Sequence, residues 1–254
     1  MTNKEKARAY YTAVNEYDQV KVEKMVEENY IQHNPFVPTG RAAFISLLPK
    51  LKQYGSRIEN QRMLQDGPYV VMHHVWKNAT PFGKEELVAF HVVRFDKAGL
   101  IAEHWNVNTE PASPNLSGRT SVDGETTIGD RGETEHNKAR IAELFGQWTS
   151  GKMGDLPRFF HPDFHQHHPQ AGDGIQGLIE ATESGKLAVR CKRQHKVLGE
   201  GNFVLSISEG IHREKPAARY DLFRMEKGKI AEHWNIGQEI PTANVANENT
   251  MFNF

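Results

Sequence analysis

The sequence predicts an α+β protein built from two tandem copies of one cone-shaped domain. Three observations carry this prediction: an internal repeat, helical patterns that precede strand patterns in each copy, and a polar connector between the copies. In each copy we expect a curved antiparallel sheet packed with about three helices.

The repeat is clearest in two pairs of segments. YIQHNPFVPTG at 30–40 matches FHQHHPQAGDG at 164–174, and EHWN occurs at 103–106 and again at 232–235. A shared EHWN is hard to obtain by accident, because His and Trp are both uncommon residues. We therefore divide the chain into a first domain, a linker, and a second domain that includes the C-terminal tail: 1–110, 111–134 and 135–254.

Helical patterns open each copy. In the second copy, apolar residues at i, i+3, i+4 and i+7 indicate an amphipathic helix: Ile141, Leu144, Phe145 and Trp148. A short second helix is expected at 156–160, and a third helix follows the glycine that ends each QHxP segment. In the first copy the apolar face of that third helix consists of Phe44, Leu47, Leu48 and Leu51.

Strand patterns follow the helices. The predicted strands are 69–76, 87–95 and 100–107 in the first copy, and 203–211, 219–225 and 229–236 in the second. The sequences at 96–99 and 226–228 are typical of hairpin turns. A sheet that curves around helices leaves an apolar interior, and such interiors usually hold small molecules.

Composition limits the functional classes. The chain has 31 basic and 32 acidic residues, so no general attraction to nucleic acid or to an anionic membrane is expected. No apolar run approaches the length needed to span a bilayer. Cys191 is the single cysteine, which excludes an internal disulfide and suits a reducing compartment. We therefore expect a cytoplasmic location.

The segment FHPDFHQHHP at 160–169 contains four histidines and raises the question of a metal site. An extended backbone puts His165 and His167 on one face and His168 on the other, whereas a helix aligns His161, His165 and His168 beside a proline. Neither arrangement supplies a clean set of three ligands, and no HExxH pattern occurs. We therefore predict no metal and no cofactor. The basic run RCKRQHK at 190–196 is interpreted as a solvated strand edge.

Three motifs carry a family resemblance: QHNP followed by a glycine, the strand sequence DLFRMEKGKIAEHWN, and the tail PTANVANENTMF. Together they resemble the SnoaL-like polyketide cyclases of the nuclear-transport-factor-2-like superfamily. The resemblance covers nearly the whole chain, and the second copy is the closer match. Most members resemble small dimers, which implies that the two copies pack as an intramolecular pseudo-dimer. Members range from cyclases, isomerases and hydrolases to domains without catalysis.

The resemblance and the residue chemistry together select candidate residues. His33 and His167 could act as acids or bases at the pocket mouth, or they could be structural residues of the turn. In EHWN, we expect the His and Asn to face inward (His104, Asn106, His233 and Asn235), and the tryptophans Trp105 and Trp234 to pack at an interface between the copies.

Asp221 is a sharper candidate, because it lies among apolar strand residues where desolvation would raise its pKa. In the family, the matching Asp is similar to the acid–base residue of the aldol cyclases. The first copy has His91 at this place, and His73 fits the family's strand histidine. A buried, hydrogen-bonded structural role for Asp221 stays open.

Two functions follow as hypotheses. The first is a cofactor-free enzyme that acts on a small, largely apolar carbonyl compound by cyclase, isomerase or aldol-type chemistry. In it, Asp221 or His91 is the base, with His33 or His167 and His104 or His233 polarising the oxygen. The second is a non-catalytic module that binds a small molecule or serves assembly, which the Asn in both EHWN motifs favours because Asn cannot take a proton. Metal-dependent hydrolysis is the weakest alternative. Further homo-oligomerisation is left open.

Overall fold

A computed structural model describes residues 1–150, 153–187 and 190–254. The chain divides into two compact units. Unit 1 comprises Met1–Glu110 and Pro241–Asn253, and unit 2 comprises Pro111–Ile240. From the sequence we expected 111–134 to be a separate linker and the tail to belong to the second domain. In the structure the linker belongs to unit 2 and the tail belongs to unit 1.

Unit 1 begins with helices and continues with strands. Its helices are α1 (Asn3–Asn15), α2 (Gln19–Met25) and α3 (Arg41–Tyr54), with a short 3-10 helix at Thr80–Phe82. Helix α1 begins at Thr2, where the Thr2 and Glu5 side chains cap each other's backbone N–H groups. The strands are β1 (Val26–Gln32), β2 (Arg57–Asp66), β3 (Tyr69–Lys77), β4 (Glu86–Phe95) and β5 (Ile101–Thr109).

Unit 2 repeats this order. Its helices are α4 (Thr134–Thr149) and α5 (Gly174–Glu183), with 3-10 helices at Arg131–Glu133 and Met153–Phe159. Its strands are β6 (Phe160–Gln166), β7 (Arg190–Glu200), β8 (Phe203–His212), β9 (Lys215–Glu226) and β10 (Lys229–Glu239). The predicted α+β fold with two tandem domains is confirmed.

The two sheets have the same topology. The strand order is β1-β5-β4-β3-β2 in unit 1 and β6-β10-β9-β8-β7 in unit 2. Strands β2 to β5 and β7 to β10 pair antiparallel, as predicted, but β1 and β6 pair parallel to β5 and β10. The parallel edge was not predicted, because β1 and β6 follow the helices directly and carry charged residues.

The core of unit 1 lies between its helices and one face of its sheet. Tyr10 and Tyr11 from α1 pack there with Met72 and Trp76 from β3. Met72 lies directly opposite His91 on β4, so His91 points to this helix-covered face. The register therefore places polar side chains at the base of an otherwise apolar cone. None of the helices in the described ranges is long and apolar enough to cross a membrane.

Candidate functional site

Unit 1 contains a cavity of about 620 Å³ between α3 and the sheet, here called the unit 1 cavity. Its apolar walls include Phe44, Leu47, Trp76, Phe82 and Leu87. Its polar lining includes Gln32, Asn34, His91, His104 and Asn106, with Lys84 and Glu110 forming an ion pair. An apolar cavity with a few convergent polar groups is the usual form of a small-molecule site.

A directed chain of hydrogen bonds crosses the polar end of the cavity. The Oε1 atom of Gln32 accepts the backbone N–H of Asn34 at 2.9 Å, so the Nε2 atom of Gln32 faces His104 Nδ1, also at 2.9 Å. Because an amide N–H can only donate, Nδ1 of His104 accepts, and the neutral ring carries its proton on Nε2. That Nε2 lies 2.9 Å from Nδ1 of His91. His91 therefore carries its own proton on Nε2.

Burial keeps the histidines on this face neutral. It lowers the pKa of His104 to about 3, with the nearby His33 adding to the effect. It lowers the pKa of His74 to about 3 as well, and it holds the pKa of His91 well below its ordinary value. At neutral pH the cavity thus presents uncharged imidazole rings.

Asn106 supplies a second donor beside His91. The Oδ1 atom of Asn34 accepts the backbone N–H of Phe36, so its Nδ2 donates to Oδ1 of Asn106 at 3.0 Å. This orientation leaves Nδ2 of Asn106 as a donor on the cavity side. Asn106 lies directly opposite His91 in the pairing of β4 with β5. Two N–H donors therefore stand side by side on adjacent strands, an arrangement that suits one ligand oxygen.

Unit 2 has the first half of this chain of hydrogen bonds, but its second half differs. Gln166 Oε1 accepts the backbone N–H of His168, and its Nε2 donates to Nδ1 of His233 at 3.0 Å. The Nε2–H of His233 then donates to Oδ1 of Asp221 at 2.8 Å. Asp221 lies opposite Asn235 just as His91 lies opposite Asn106. The Gln–His pair is thus common to both units, and its partner is not.

The expectation of a raised pKa at Asp221 is wrong. Arg219, two residues earlier on the same strand face, donates from Nε to both carboxylate oxygens of Asp221 at 2.9 and 3.0 Å. Burial alone would raise the pKa of Asp221, but Arg219 and His233 outweigh it and hold that pKa below its ordinary value. Asp221 is therefore the anionic half of a buried ion pair, which makes it a weaker base than the sequence suggested.

His33 and His167 lie on the opposite face of their sheets from His104 and His233. His33 stacks on Trp105 with ring centroids 4.4 Å apart, and its Nε2 lies 2.9 Å from Glu103. Its Nδ1 lies 2.7 Å from the carbonyl oxygen of Thr250. Both partners of the ring are oxygen atoms of the protein, one from a carboxylate and one from the backbone. This arrangement differs from the expected place at the pocket mouth.

His167 repeats that arrangement in unit 2. It stacks on Trp234 at 4.4 Å, and its Nε2 lies 3.1 Å from Glu232. Its Nδ1 faces the carbonyl oxygen of Thr120 and the Oδ1 atom of Asp123 at 3.0 and 2.8 Å. Burial would raise the pKa of Glu232, but His167 and Arg224 lower it to about 2. The geometry supports a structural role for His167.

The structure places the remaining candidates as follows. Trp105 and Trp234 are buried on the face that carries His33 and His167, and their packing between the copies stays a prediction. His73 also lies on that outer face, stacked on Phe90, with Arg62 donating to its Nδ1 at 3.1 Å. Trp105 and His73 are not among the described residues that line the unit 1 cavity.

The four histidines of 160–169 have separate surroundings. His161 and His165 are partly exposed on β6, His167 is held as described, and His168 accepts the backbone N–H of Gln170. Burial lowers the pKa of His168 to about 3. Within the described ranges, no group of three or more His, Cys, Asp or Glu side chains is arranged to hold a metal ion.

Four residues in contact with the candidate side chains were not predicted from the sequence: Gln32, Gln166, His74 and Arg219. The two glutamines were visible in the repeat, since both QHxP segments keep them before the histidine. Arg219 could have been found from the alternation of a strand, because it shares a face with Asp221. The choice of His74 over His73 depends on the register of β3 against β4, which the sequence does not give.

Comparison with known proteins agrees with this architecture. Residues 7–104 match a protein-family profile described as a SnoaL-like domain. Residues 7–104 form a SnoaL-like domain. The match lies in the first copy, although we expected the closer resemblance in the second. A search with the whole chain finds no match among proteins of curated function.

Several solved structures are similar to parts of this chain. IdmH of Streptomyces antibioticus, a candidate polyketide cyclase, is 17% identical, with 42% of this chain and 92% of IdmH covered and a TM-score of 0.37. A candidate SnoaL-like polyketide cyclase of Shewanella denitrificans is 17% identical, with coverages of 42% and 90% and a TM-score of 0.36. An uncharacterised cystatin-fold protein of Novosphingobium aromaticivorans is 20% identical, with coverages of 42% and 98% and a TM-score of 0.38.

Proposed function

We propose that the SnoaL-like domain of unit 1 is a cofactor-free enzyme for a small, largely apolar carbonyl compound. The observation that carries this proposal is the pair of adjacent donors, Nε2–H of His91 and Nδ2–H of Asn106, at the base of an apolar cavity. Both can donate to one carbonyl oxygen and so stabilise the negative charge that develops on it as an enol forms. The reaction class is cyclase, isomerase or aldol-type.

The direction of the chain of hydrogen bonds supports a donor role for His91. Gln32 fixes the proton of His104 on Nε2, and this in turn fixes the proton of His91 on the nitrogen left for the ligand. The base role expected for His91 is therefore replaced in this proposal by carbonyl polarisation. Among the described lining residues the single carboxylate, Glu110, is paired with Lys84, so the ligand should have an acidic C–H, as a 1,3-dicarbonyl compound has, with water taking the proton.

The second candidate is a binding module without catalysis. It is favoured by the scarcity of acidic groups at the cavity. Among the described lining residues Glu110 is the single carboxylate, and it is paired with Lys84. A binding module would hold the carbonyl compound through the same two donors. A small-molecule ligand, a cytoplasmic location and the absence of a nucleic-acid partner stay predictions, as does a pseudo-dimer.

The proposal can be tested by measuring how fast 2-acetyl-1-tetralone reaches its keto–enol equilibrium. This probe is a bicyclic 1,3-dicarbonyl compound. We expect the wild-type protein to bind this ketone but not 2-ethylnaphthalene, and to accelerate its enolisation, followed by ultraviolet absorbance. His91→Leu and Asn106→Leu should both lose the acceleration, whereas Glu248→Ala should keep it. Binding without acceleration would select the binding module. No preference for the ketone over the hydrocarbon would refute both candidates.

A further inference from the structure

The tail of unit 1, Pro241–Asn253, lies against the loop that carries the polar lining of the unit 1 cavity. This loop, residues 32–37, is here called the cavity loop. The Nδ2 atom of Asn247 donates to the carbonyl oxygens of Asn34 and Val37, each at 2.7 Å. The backbone N–H of Ala246 donates to Pro35, and Nδ2 of Asn249 donates to the carbonyl of Gln32 at 2.9 Å.

Asn247 is itself held in one orientation. Its Oδ1 atom accepts the backbone N–H of Asn249 at 2.8 Å, which turns its Nδ2 towards the cavity loop. Loop carbonyls outside a sheet need donors from elsewhere in the molecule. The tail supplies those donors at Gln32, Asn34, Pro35 and Val37.

Two residues of the cavity loop determine which side-chain atoms act as hydrogen-bond donors in the cavity. Gln32 sets the proton position in His104, and through it in His91. Asn34 sets the orientation of Asn106. A loop displacement of a few tenths of an ångström would loosen both contacts, because hydrogen bonds weaken steeply with distance and angle.

Unit 2 uses a different segment for the same purpose. In its linker, Nδ2 of Asn115 donates to the carbonyl oxygens of Gln166 and Ala171 at 2.6 and 2.9 Å. Its Oδ1 accepts the backbone N–H groups of Ser117 and Arg119. Asn115 follows β5, the last strand of the first copy, and Asn247 follows β10, the last strand of the second, so the contact recurs at matching places in the repeat.

We infer that Asn247 is a positioning residue of the unit 1 cavity. Asn115 has the same role for the Gln166–His233 pair of unit 2. Because the tail follows β10, the cavity loop of the first copy is held by residues that come after the second copy in the chain. The inference rests on the proposed function only in treating the unit 1 cavity as the site.

Amide hydrogen exchange and ¹⁵N NMR of the histidine rings test the inference on the full-length protein without a ligand. Asn247→Ala should accelerate exchange at residues 33–37 by about tenfold or more and leave β3 and β4 unchanged. The ¹⁵N signals of His104 should change from one tautomer to an exchanging mixture. Asn247→Asp, which keeps Oδ1 but lacks the donors, should behave like Asn247→Ala. Glu248→Ala, an exposed neighbour, is the matched control.

Asn115→Ala should instead accelerate amide exchange at residues 166–171 and change the ¹⁵N ring signals of His233. The inference is overturned if Asn247→Ala matches Glu248→Ala, or if His104 keeps its wild-type ¹⁵N signals while the loop exchanges faster. If Asn247→Ala prevents folding, Asn249→Ala, which removes the single bond to Gln32, is read by the same criteria. No readout needs a ligand, so its failure and a failure of the tetralone experiment are distinguishable.

Discussion

Gln32 donates from Nε2 to Nδ1 of His104 at 2.9 Å, and this one contact sets the direction of the hydrogen bonds in the unit 1 cavity. Because Gln32 is itself oriented by the backbone N–H of Asn34, His104 has no alternative tautomer that keeps both contacts. The same pair in unit 2, Gln166 and His233, ends on a carboxylate instead of an imidazole.

Replacing Gln32 by Glu should reverse the direction of the chain. A carboxylate accepts only, so His104 should move its proton to Nδ1, and His91 should then donate from Nδ1 and accept at Nε2. Ring ¹⁵N NMR at pH 7 measures this change directly.

Gln32→Leu is the matched control and should leave the proton position of His104 unfixed. We expect its free energy of unfolding to fall by about 1–3 kcal/mol, since the N–H of Asn34 loses its acceptor. Unchanged ¹⁵N signals for His91 in Gln32→Glu would contradict the directed chain.

His74→Leu should stabilise unit 1. Both nitrogens of His74 are buried without a hydrogen-bond partner in the described part of the chain, and its ring centroid lies 4.2 Å from that of His91. Leu has a similar volume and no polar atom to desolvate. We expect urea unfolding at pH 7 to show a gain of about 1 kcal/mol in the free energy of unfolding.

The neighbouring substitution His73→Leu should have the opposite sign. Arg62 is buried and donates to Nδ1 of His73, so the change removes an acceptor from a buried cation. A loss of about 1–3 kcal/mol is expected. Equal effects of the two leucine variants would contradict the assignment of these residues to opposite faces.

His74 also predicts a pH dependence of stability. Its pKa is lowered by burial from 6.5 to about 3, so the unfolded state binds more protons than the folded state between these values. Stability therefore falls as the pH drops through this window and is unaffected by His74 above it. Between pH 7 and pH 4 the wild type should lose roughly 2–3 kcal/mol more than His74→Leu, as measured by urea unfolding. Parallel pH profiles would show that His74 is not buried neutral.

Asp221→Asn should be strongly destabilising. Arg219 and Asp221 are 2% and 0% exposed, so the substitution leaves a buried guanidinium without its anion. The expected loss is about 3–5 kcal/mol in the free energy of unfolding.

The double variant Arg219→Met/Asp221→Leu separates the charge effect from packing. Removing both charges should recover part of this loss, to within about 1–3 kcal/mol of the wild type, because the buried Nε2–H of His233 still loses its acceptor. A double variant as unstable as Asp221→Asn would mean that the ion pair is not the cause.

Gly124→Ala should destabilise unit 2. Gly124 has a φ of +91°, and a Cβ atom there would collide with the side chains of Glu232, Trp234 and His167. We expect a loss of about 1–3 kcal/mol in thermal or urea unfolding. Gly129→Ala is the control, because the space around a Cβ at Gly129 is open. A neutral Gly124→Ala would indicate that the linker does not pack against this site.

The sequence by itself determined the repeat and most of the fold. EHWN and the paired QHxP segments aligned the two copies, and alternation located the strands that begin at Tyr69, Glu86 and Phe203. It missed β1, β2 and β6, whose charged or mixed patterns resemble surface segments. RCKRQHK proved to be part of the edge strand β7, as its interpretation as a strand edge implied.

The tertiary structure decided the site. Whether His73 or His74 lies on the helix-covered face of the sheet depends on strand register, and a shift of one residue exchanges the two faces. The pKa of Asp221 depends on Arg219 outweighing burial, a balance of opposing effects that composition cannot resolve. The partner of each cavity loop lies in a segment distant in sequence, and such contacts follow from three-dimensional packing. The local sequence pattern determines which helices and strands form. The charge state of a side chain and the direction of its hydrogen bonds depend instead on neighbours that folding brings together.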